Sequence, residues 1–329
     1  MKEKTTTEQT TLLQKSNDFY KDIIAATIPL IIMAVYLYGV RALALVIIAV
    51  LTSTICDRLA AIMRKKPFEK MENGSTAAAI IFTLLLPASI SYYVLILGVV
   101  VAIMLGKHAF GGEGVYPFNL AAVGYAIVAV GWPTQVFMYP QPMQSLPVFN
   151  LEGVYLTESA SYLLKMGGLP NISTQNLLLG NYAGPMGTTF IVVIAACALF
   201  LIVRGHKIAY SAVGFLAMSA LVAFVFPRVY LAGRLDVMRY EILSGSFFFA
   251  ATFLLADPNT TPQNDIAQII YGALLGFISM MFRYFGIFEL GVCFALIITN
   301  TVSDFIDRTV KEMQNKTVKK PAKTGGKPK

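Results

Sequence analysis

Residues 73–87 read Asn73-Gly74-Ser75-Thr76-Ala77-Ala78-Ala79-Ile80-Ile81-Phe82-Thr83-Leu84-Leu85-Leu86-Pro87, and residues 244–258 repeat the plan as Ser244-Gly245-Ser246, an apolar run, then Ala256-Asp257-Pro258. In each copy twelve positions separate a serine, Ser75 or Ser246, from the proline, and a Phe-Gly follows further on, at Phe110-Gly111 and Phe285-Gly286. Leu, Ala and Phe align with any apolar text, so the fixed register from Gly-Ser to Pro is what carries the repeat. Proline cannot continue a helix, and a helix needs about 20 residues to cross ~30 Å of hydrocarbon. Both runs are therefore expected to stop part-way. Backbone groups freed at such a stop find no water in lipid, so both breaks must face protein, and the pattern predicts a common interior.

The rest of the chain points to a membrane. Of 329 residues, 56% are hydrophobic and 13% charged, too little charge to cover a soluble domain of this size. Apolar runs near 21–38, 42–62, 75–91, 92–106, 119–138, 187–204, 208–227, 241–256, 268–285 and 288–306 make about ten spans. The expected fold class is an all-α polytopic membrane protein. Five spans precede the longest loop and five follow it, so the second copy lies upside down relative to the first. Two inverted five-helix repeats with broken helices place a pocket or pathway between them near the midplane. The expected divisions are a cytoplasmic N-terminal arm 1–20, a first repeat 21–138, an extracytoplasmic loop 139–186, a second repeat 187–307 and a basic disordered cytoplasmic tail 308–329.

Charge sets the orientation. The net charge is +8, and the excess sits at the ends: eight Lys or Arg from Arg308 to Lys329, with Lys2, Lys4, Lys15 and Lys21 at the start. Basic segments beside a membrane mark the cytoplasmic side and contact with anionic lipid rather than nucleic acid. Both termini are thus expected inside a bacterial cell membrane. The loop from Arg64 to Lys70 and the turn Arg204-Gly205-His206-Lys207 fall inside as well, whereas Arg228, Arg234 and Arg239 fall outside, against the rule. The polar stretch Met1–Asn17 ahead of a full first span predicts no cleaved leader.

Candidate site residues follow from the breaks and loops. Gly106, Gly111, Gly112 and Gly114 permit unusual dihedrals, as a re-entrant turn against a planar ligand requires, or as a plain cytoplasmic turn uses. Asp257, ahead of Pro258, is a cation ligand, a proton carrier or a cap for the turn Asn259-Thr260-Thr261. Arg283, inside an apolar run, snorkels to the interface or faces inward as a counter-charge. His108 and His206, far apart in sequence, read as solvated or capping groups. Cys56, Cys197 and Cys293 stand singly inside spans, as small buried hydrophobes or as a share in an iron–sulfur cluster completed by partners. The loop 139–186, nearly fifty residues rich in Pro, Gly, Ser and Asn, is functional by its length alone.

Several strings together resemble the RnfD and NqrB family, flavin-carrying membrane subunits of ion-pumping electron-transport complexes. They are Asn73-Gly74-Ser75 through Leu86-Pro87; Gly106-Lys107-His108 through Phe110-Gly111-Gly112-Glu113-Gly114 to Tyr116-Pro117-Phe118-Asn119; Gly180 to Gly184 with Gly187 and Thr189; and Ala256-Asp257-Pro258 with Thr261-Pro262 and Ile270-Tyr271-Gly272. The resemblance implies FMN near Gly111, Gly112, Gly114, Asn119, Asp257 and Thr189. It also implies a phosphoester from FMN to the Thr of a Ser/Thr-Gly-Ala-Thr motif in the outer loop. Here the matching stretch is Thr157-Glu158-Ser159-Ala160-Ser161-Tyr162-Leu163. Ser161 takes the acceptor place, Ser159 replaces the glycine, and the leading Asp is missing. The resemblance therefore leaves FMN attached at Ser161 or held noncovalently, and it implies other Rnf-type subunits, and a flavin transferase where the chain is modified, as partners.

Two functions remain open on this reading: an electron-transfer subunit coupled to Na⁺ or H⁺ movement, or a small-solute transporter on the same scaffold that has lost the covalent flavin. Electron transfer needs a placed cofactor and no acid–base pair. The chain has no Ser/His/Asp arrangement or metal-ligand spacing, which removes a hydrolase.

Overall fold

A computed structural model describes residues 2–65, 73–229, 233–286 and 291–318, with side chains from Asn17 onward. Most of the expected loop from Arg64 to Lys70 and the tail from Lys319 lie outside the described residues. In chain order the helices are α1 (Lys2–Tyr38), α2 (Val40–Met63), α3 (Gly74–Leu84), α4 (Tyr92–Val100), α5 (Leu120–Gly131), α6 (Pro133–Val136), α7 (Ala160–Lys165), α8 (Thr174–Leu179), α9 (Ile191–Val203), α10 (Ala209–Val225), α11 (Arg234–Leu243), α12 (Phe247–Phe249), α13 (Asp265–Phe285) and α14 (Gly291–Val318). Two π-helical stretches, Val101–His108 and Ala250–Leu254, prolong α4 and α12. The only strands among the described residues are an antiparallel pair, Tyr139–Pro140 with Leu156–Thr157.

This is a helical membrane protein. Asn17–Tyr38, Val40–Met63 and Asp265–Phe285 are long and apolar enough to cross a membrane, and Gly74–Leu84, Tyr92–His108, Leu120–Gly131, Ile191–Val203 and Ala209–Val225 are shorter apolar helices. The expected span 75–91 stops at Leu84, seven residues early. The expected span 241–256 is divided: α11 ends at Leu243, Gly245 takes φ +99°, and the chain re-enters a helix only at Phe247. The C-terminal helix runs to Val318, so residues 308–318 of the expected disordered tail are helical, and helical backbone reaches back to Lys2 through the expected arm.

The glycines explain how the helices meet. A β-carbon on Gly272 of α13 would lie 2.1 Å from the Ser211 carbonyl of α10, and one on Gly214 of α10 would lie 2.3 Å from the Ile269 carbonyl. Two helices thus cross backbone to backbone, the small-residue contact that substitutes for hydrophobic drive between helices in lipid. α4 and α5 approach similarly, with a β-carbon on Gly124 set 2.8 Å from the Gly98 carbonyl.

Both breaks are buried in protein. Leu84, Leu85, Leu86, Ala88 and Ile90 are wholly buried. The backbone before α9 closes this break, Met186 N donating to Leu86 O at 3.1 Å and Gly187 N to Leu84 O at 2.9 Å. Arg41, at the start of α2, completes it. Its guanidinium donates to Ala88 O (2.9 Å), Ile90 O (2.8 Å) and Val148 O (2.6 Å), so a buried cation satisfies carbonyls of the chain that follows α3 and ties it to the loop at Val148. The second break is closed from α5. Asn119 Nδ2 donates to Leu254 O at 3.1 Å, while its Oδ1 accepts from Ala122 N and caps α5. Asn119→Ala removes both bonds and is expected to cost about 1–3 kcal/mol. A thermal melt in detergent checks it, a clear fall in midpoint being the expected result.

Candidate functional site

Beyond the second break the chain turns at Asp257-Pro258, and the Asp257 carboxylate is buried with three donors on Oδ1: Tyr20 OH from α1 (3.1 Å), Tyr116 OH from the segment before α5 (3.4 Å) and Asn259 N (3.0 Å). The two phenol oxygens are 2.6 Å apart, and Asn259 Nδ2 donates to both, at 2.9 and 2.8 Å. Asp257 is thus both cap and buried acid. The Asn259 bond is the local turn, whereas the tyrosines come from 237 and 141 residues away in sequence. Beside it is a cavity of about 20 Å³ lined by Tyr20, Tyr116, Asn119 and Asp257 and by apolar groups including Ile23 and Phe253. That volume has room for about one water or a small ion, since roughly 10–15 Å³ holds a water molecule, and it is far too small for an organic ligand.

Gly74, at the start of α3, also lines this cavity, and a β-carbon there would meet the Glu113 carboxylate at 2.8 Å. Glu113 pairs with Lys107 Nζ at 3.0 Å, and Lys107 donates to Ser75 Oγ at 2.9 Å and lies 3.6 Å from Asp57. His108 Nε2 meets Asp57 Oδ1 at 2.7 Å. The turn after His108 is held by Arg64, which donates to the His108 and Gly111 carbonyls. Gly111, Gly112 and Gly114 all take positive φ (+127°, +109° and +77°), conformations that bring Glu113 back over α3 and that other residues rarely adopt.

A second ionic group closes the start of the other run. Glu241 of α11 is wholly buried and accepts from Arg228 Nε (2.5 Å) and Nη2 (2.8 Å), with Arg283 Nε at 2.8 Å. Arg283 also donates to Ser244 O and Oγ and lies over the Phe247 ring. It therefore neither snorkels nor waits for a ligand, because its charge is met inside the chain. Two of the basic residues expected outside are paired within the chain. Arg228 serves Glu241, and Arg239 pairs with Asp236 at 2.9 Å. The histidines likewise are not free solvated groups: His206 Nε2 meets Asp22 Oδ2 at 2.9 Å, as His108 meets Asp57.

The model of the NQR2, RnfD, RnfE family matches residues 8–316. The chain belongs to that family. It is similar to the D subunit of an ion-translocating oxidoreductase complex of Mannheimia succiniciproducens, 26% identical over 318 residues that cover 87% of this chain and 90% of the relative. A protein of the same description from Haemophilus influenzae is 27% identical over 330 residues, covering 87% and 89%. The D subunit of a proton-translocating ferredoxin:NAD(+) oxidoreductase complex of Clostridium ljungdahlii is 23% identical over 287 residues, 86% of each chain.

In this member of the NQR2, RnfD, RnfE family the candidate residues divide into groups. Asn119 and Asp257 bound the cavity, and Gly111, Gly112 and Gly114 form the adjacent turn that carries Glu113. Thr189 lies elsewhere, against Gly184 in the chain leading to α9. It is wholly buried, and its Oγ1 has no hydrogen-bond partner among the described residues, an orphaned group that a ligand would satisfy. Ser161 lies in the long loop, 5% exposed on the packed side of α7, and does not fit a phosphoester there. Sequence reasoning missed Tyr20, Arg41, Asp57 and Glu241. Asp57, an acid within an apolar run, carried a usable signal, because ionisable groups in spans are kept for a partner or a function.

Proposed function

We propose that this chain is the D-type member of an Rnf-type complex in a bacterial cell membrane, passing electrons through a flavin between partner subunits on the ferredoxin and NAD side, coupled to Na⁺ or H⁺ movement. The family match over residues 8–316 and the relatives' names support the assignment. The observation that carries this chain's own part is the Asp257 pocket: a buried acid, two phenols and a cavity at a helix break, where an ion is held by oxygen atoms inside a membrane protein. A bound flavin supplies the electron chemistry, and the chain's residues bind, orient and exclude water around it.

The inverted repeat belongs to this reading, with ten spans and both termini inside. Its support is geometric: Lys107, at the end of one long helix, bonds Ser75 at the start of the first broken run, and Arg283, at the end of another, bonds Ser244 just ahead of the second. Each basic residue is paired with a buried carboxylate, Glu113 and Glu241 respectively. Other Rnf-type subunits are the partners, with anionic lipid at the basic ends. The alternative, a small-solute transporter on the same scaffold, is separated by the same experiment.

Tagged chain extracted from native membranes is expected to bring flavin- and iron–sulfur-containing subunits with it. Asp257→Asn is expected to leave that assembly intact and to reduce redox-driven ion uptake by membrane vesicles to background. Unchanged uptake sinks the role of Asp257. Solute uptake without redox partners favours the transporter.

A further inference from the structure

We infer that Ser161 carries no flavin phosphoester in the folded protein. Three residues of α7 face inward, Ala160, Ser161 and Leu164, while Leu163 is 44% exposed and Lys165 also points out. The inward face is filled: Ala160 packs with Leu177 and Tyr182, and Leu164 with Val229 and Val237 of the α11 region. Hydrogen bonds hold that packing together. Tyr182 OH donates to Leu243 O (3.2 Å), Tyr240 OH to Ile172 O (2.8 Å), and Lys165 Nζ to Gly286 O (2.7 Å). Residue 161 keeps only 5% of its surface open on this filled face, and a phosphodiester on its Oγ would have to displace packed neighbours or leave its charge against them. Its ribityl chain would also need a way out through the packed face.

Ser159 is the N-cap of α7, with Oγ accepting from Tyr162 N at 3.2 Å. Its carbonyl also accepts from Tyr162 N (3.1 Å) and Leu163 N (3.4 Å), so side chain and backbone of residue 159 together begin the helix. A flavin in this chain is held without a bond to the loop. FMN is the group considered because of the proposed role in an Rnf-type complex; the burial of Ser161 is independent of it.

The test is accessibility together with mass. Cys56, Cys197 and Cys293 are all buried, so a charged maleimide reports on introduced cysteines against a low background. In purified full-length protein, Leu163→Cys is expected to label rapidly, and Ser161→Cys as slowly as the native cysteines. Equal rates for Ser161→Cys and Leu163→Cys overturn the burial of Ser161. Intact mass of wild-type protein made beside a flavin transferase is expected to equal that of the polypeptide. A flavin adduct mapped to Ser161 overturns the inference outright. Failure to recover partner subunits would count against the proposed complex and leave the labelling rates unaffected.

Discussion

Gly272→Val is expected to leave no folded protein in detergent extracts. The obstacle is backbone: a β-carbon at position 272 falls 2.1 Å from Ser211 O and 3.0 Å from Phe215 N. Gly214 and Gly276 face the same crossing, at 2.3 Å from Ile269 O and 2.6 Å from Phe215 O. Overpacking of side chains usually costs about 1–3 kcal/mol, because rotamers yield. A carbonyl held in its own helix has no rotamer, so α10 and α13 must separate along their shared face, and the change belongs with the exceptional losses above about 4 kcal/mol. Size-exclusion chromatography of tagged protein is the measurement. The expected outcome is aggregate in place of the wild-type peak, with Gly272→Ala intermediate. A wild-type peak and melting midpoint for the valine variant would show that the helices do not cross this closely.

Glu241→Gln is expected to be the costliest change among the charged groups. The wild-type carboxylate is wholly buried, and two guanidiniums converge on it, their side chains 10% (Arg228) and 2% (Arg283) exposed. Removing its charge leaves both cations buried without their partner, a loss of about 3–5 kcal/mol for broken buried pairs. The damage should spread to the run that begins at Phe247, since Arg283 also holds Ser244 and lies over the Phe247 ring. Thermal melts of Glu241→Gln, Arg283→Met and the double variant give the coupling directly. The double variant is expected to be less destabilised than the sum of the single ones. Strict additivity, or an unchanged midpoint for Glu241→Gln, would mean that the pairing carries little energy.

Much of this architecture was legible in the chain itself. The Gly-Ser to Pro register located both interruptions, and the requirement that freed backbone be satisfied in protein correctly placed the first against other chain segments. The positive φ of Gly111, Gly112 and Gly114 was likewise readable, because only glycine suits such a turn. Other features were not. Where the helices would end, at Leu84 instead of residue 91 and in two pieces around Ser244–Ser246, depended on which distant groups would cap the broken ends. Arg283 was recognised as an inward or interfacial charge, but its partner Glu241 lies 42 residues away and reaches it only after α11 folds across the end of α13.

The sequence alone determined that this is a membrane-embedded helical chain with two interrupted runs, because hydropathy and proline act locally, within the reach of one helix. It also determined the family, because several strings in fixed order are a property of the chain itself. The tertiary structure alone decided which groups meet: Tyr20 and Tyr116 at Asp257, Glu113 over Gly74, Arg41 on the carbonyls after α3, and Ser161 turned into the packing of its loop. Each of these is a contact between segments far apart in sequence, set by helix crossings and caps.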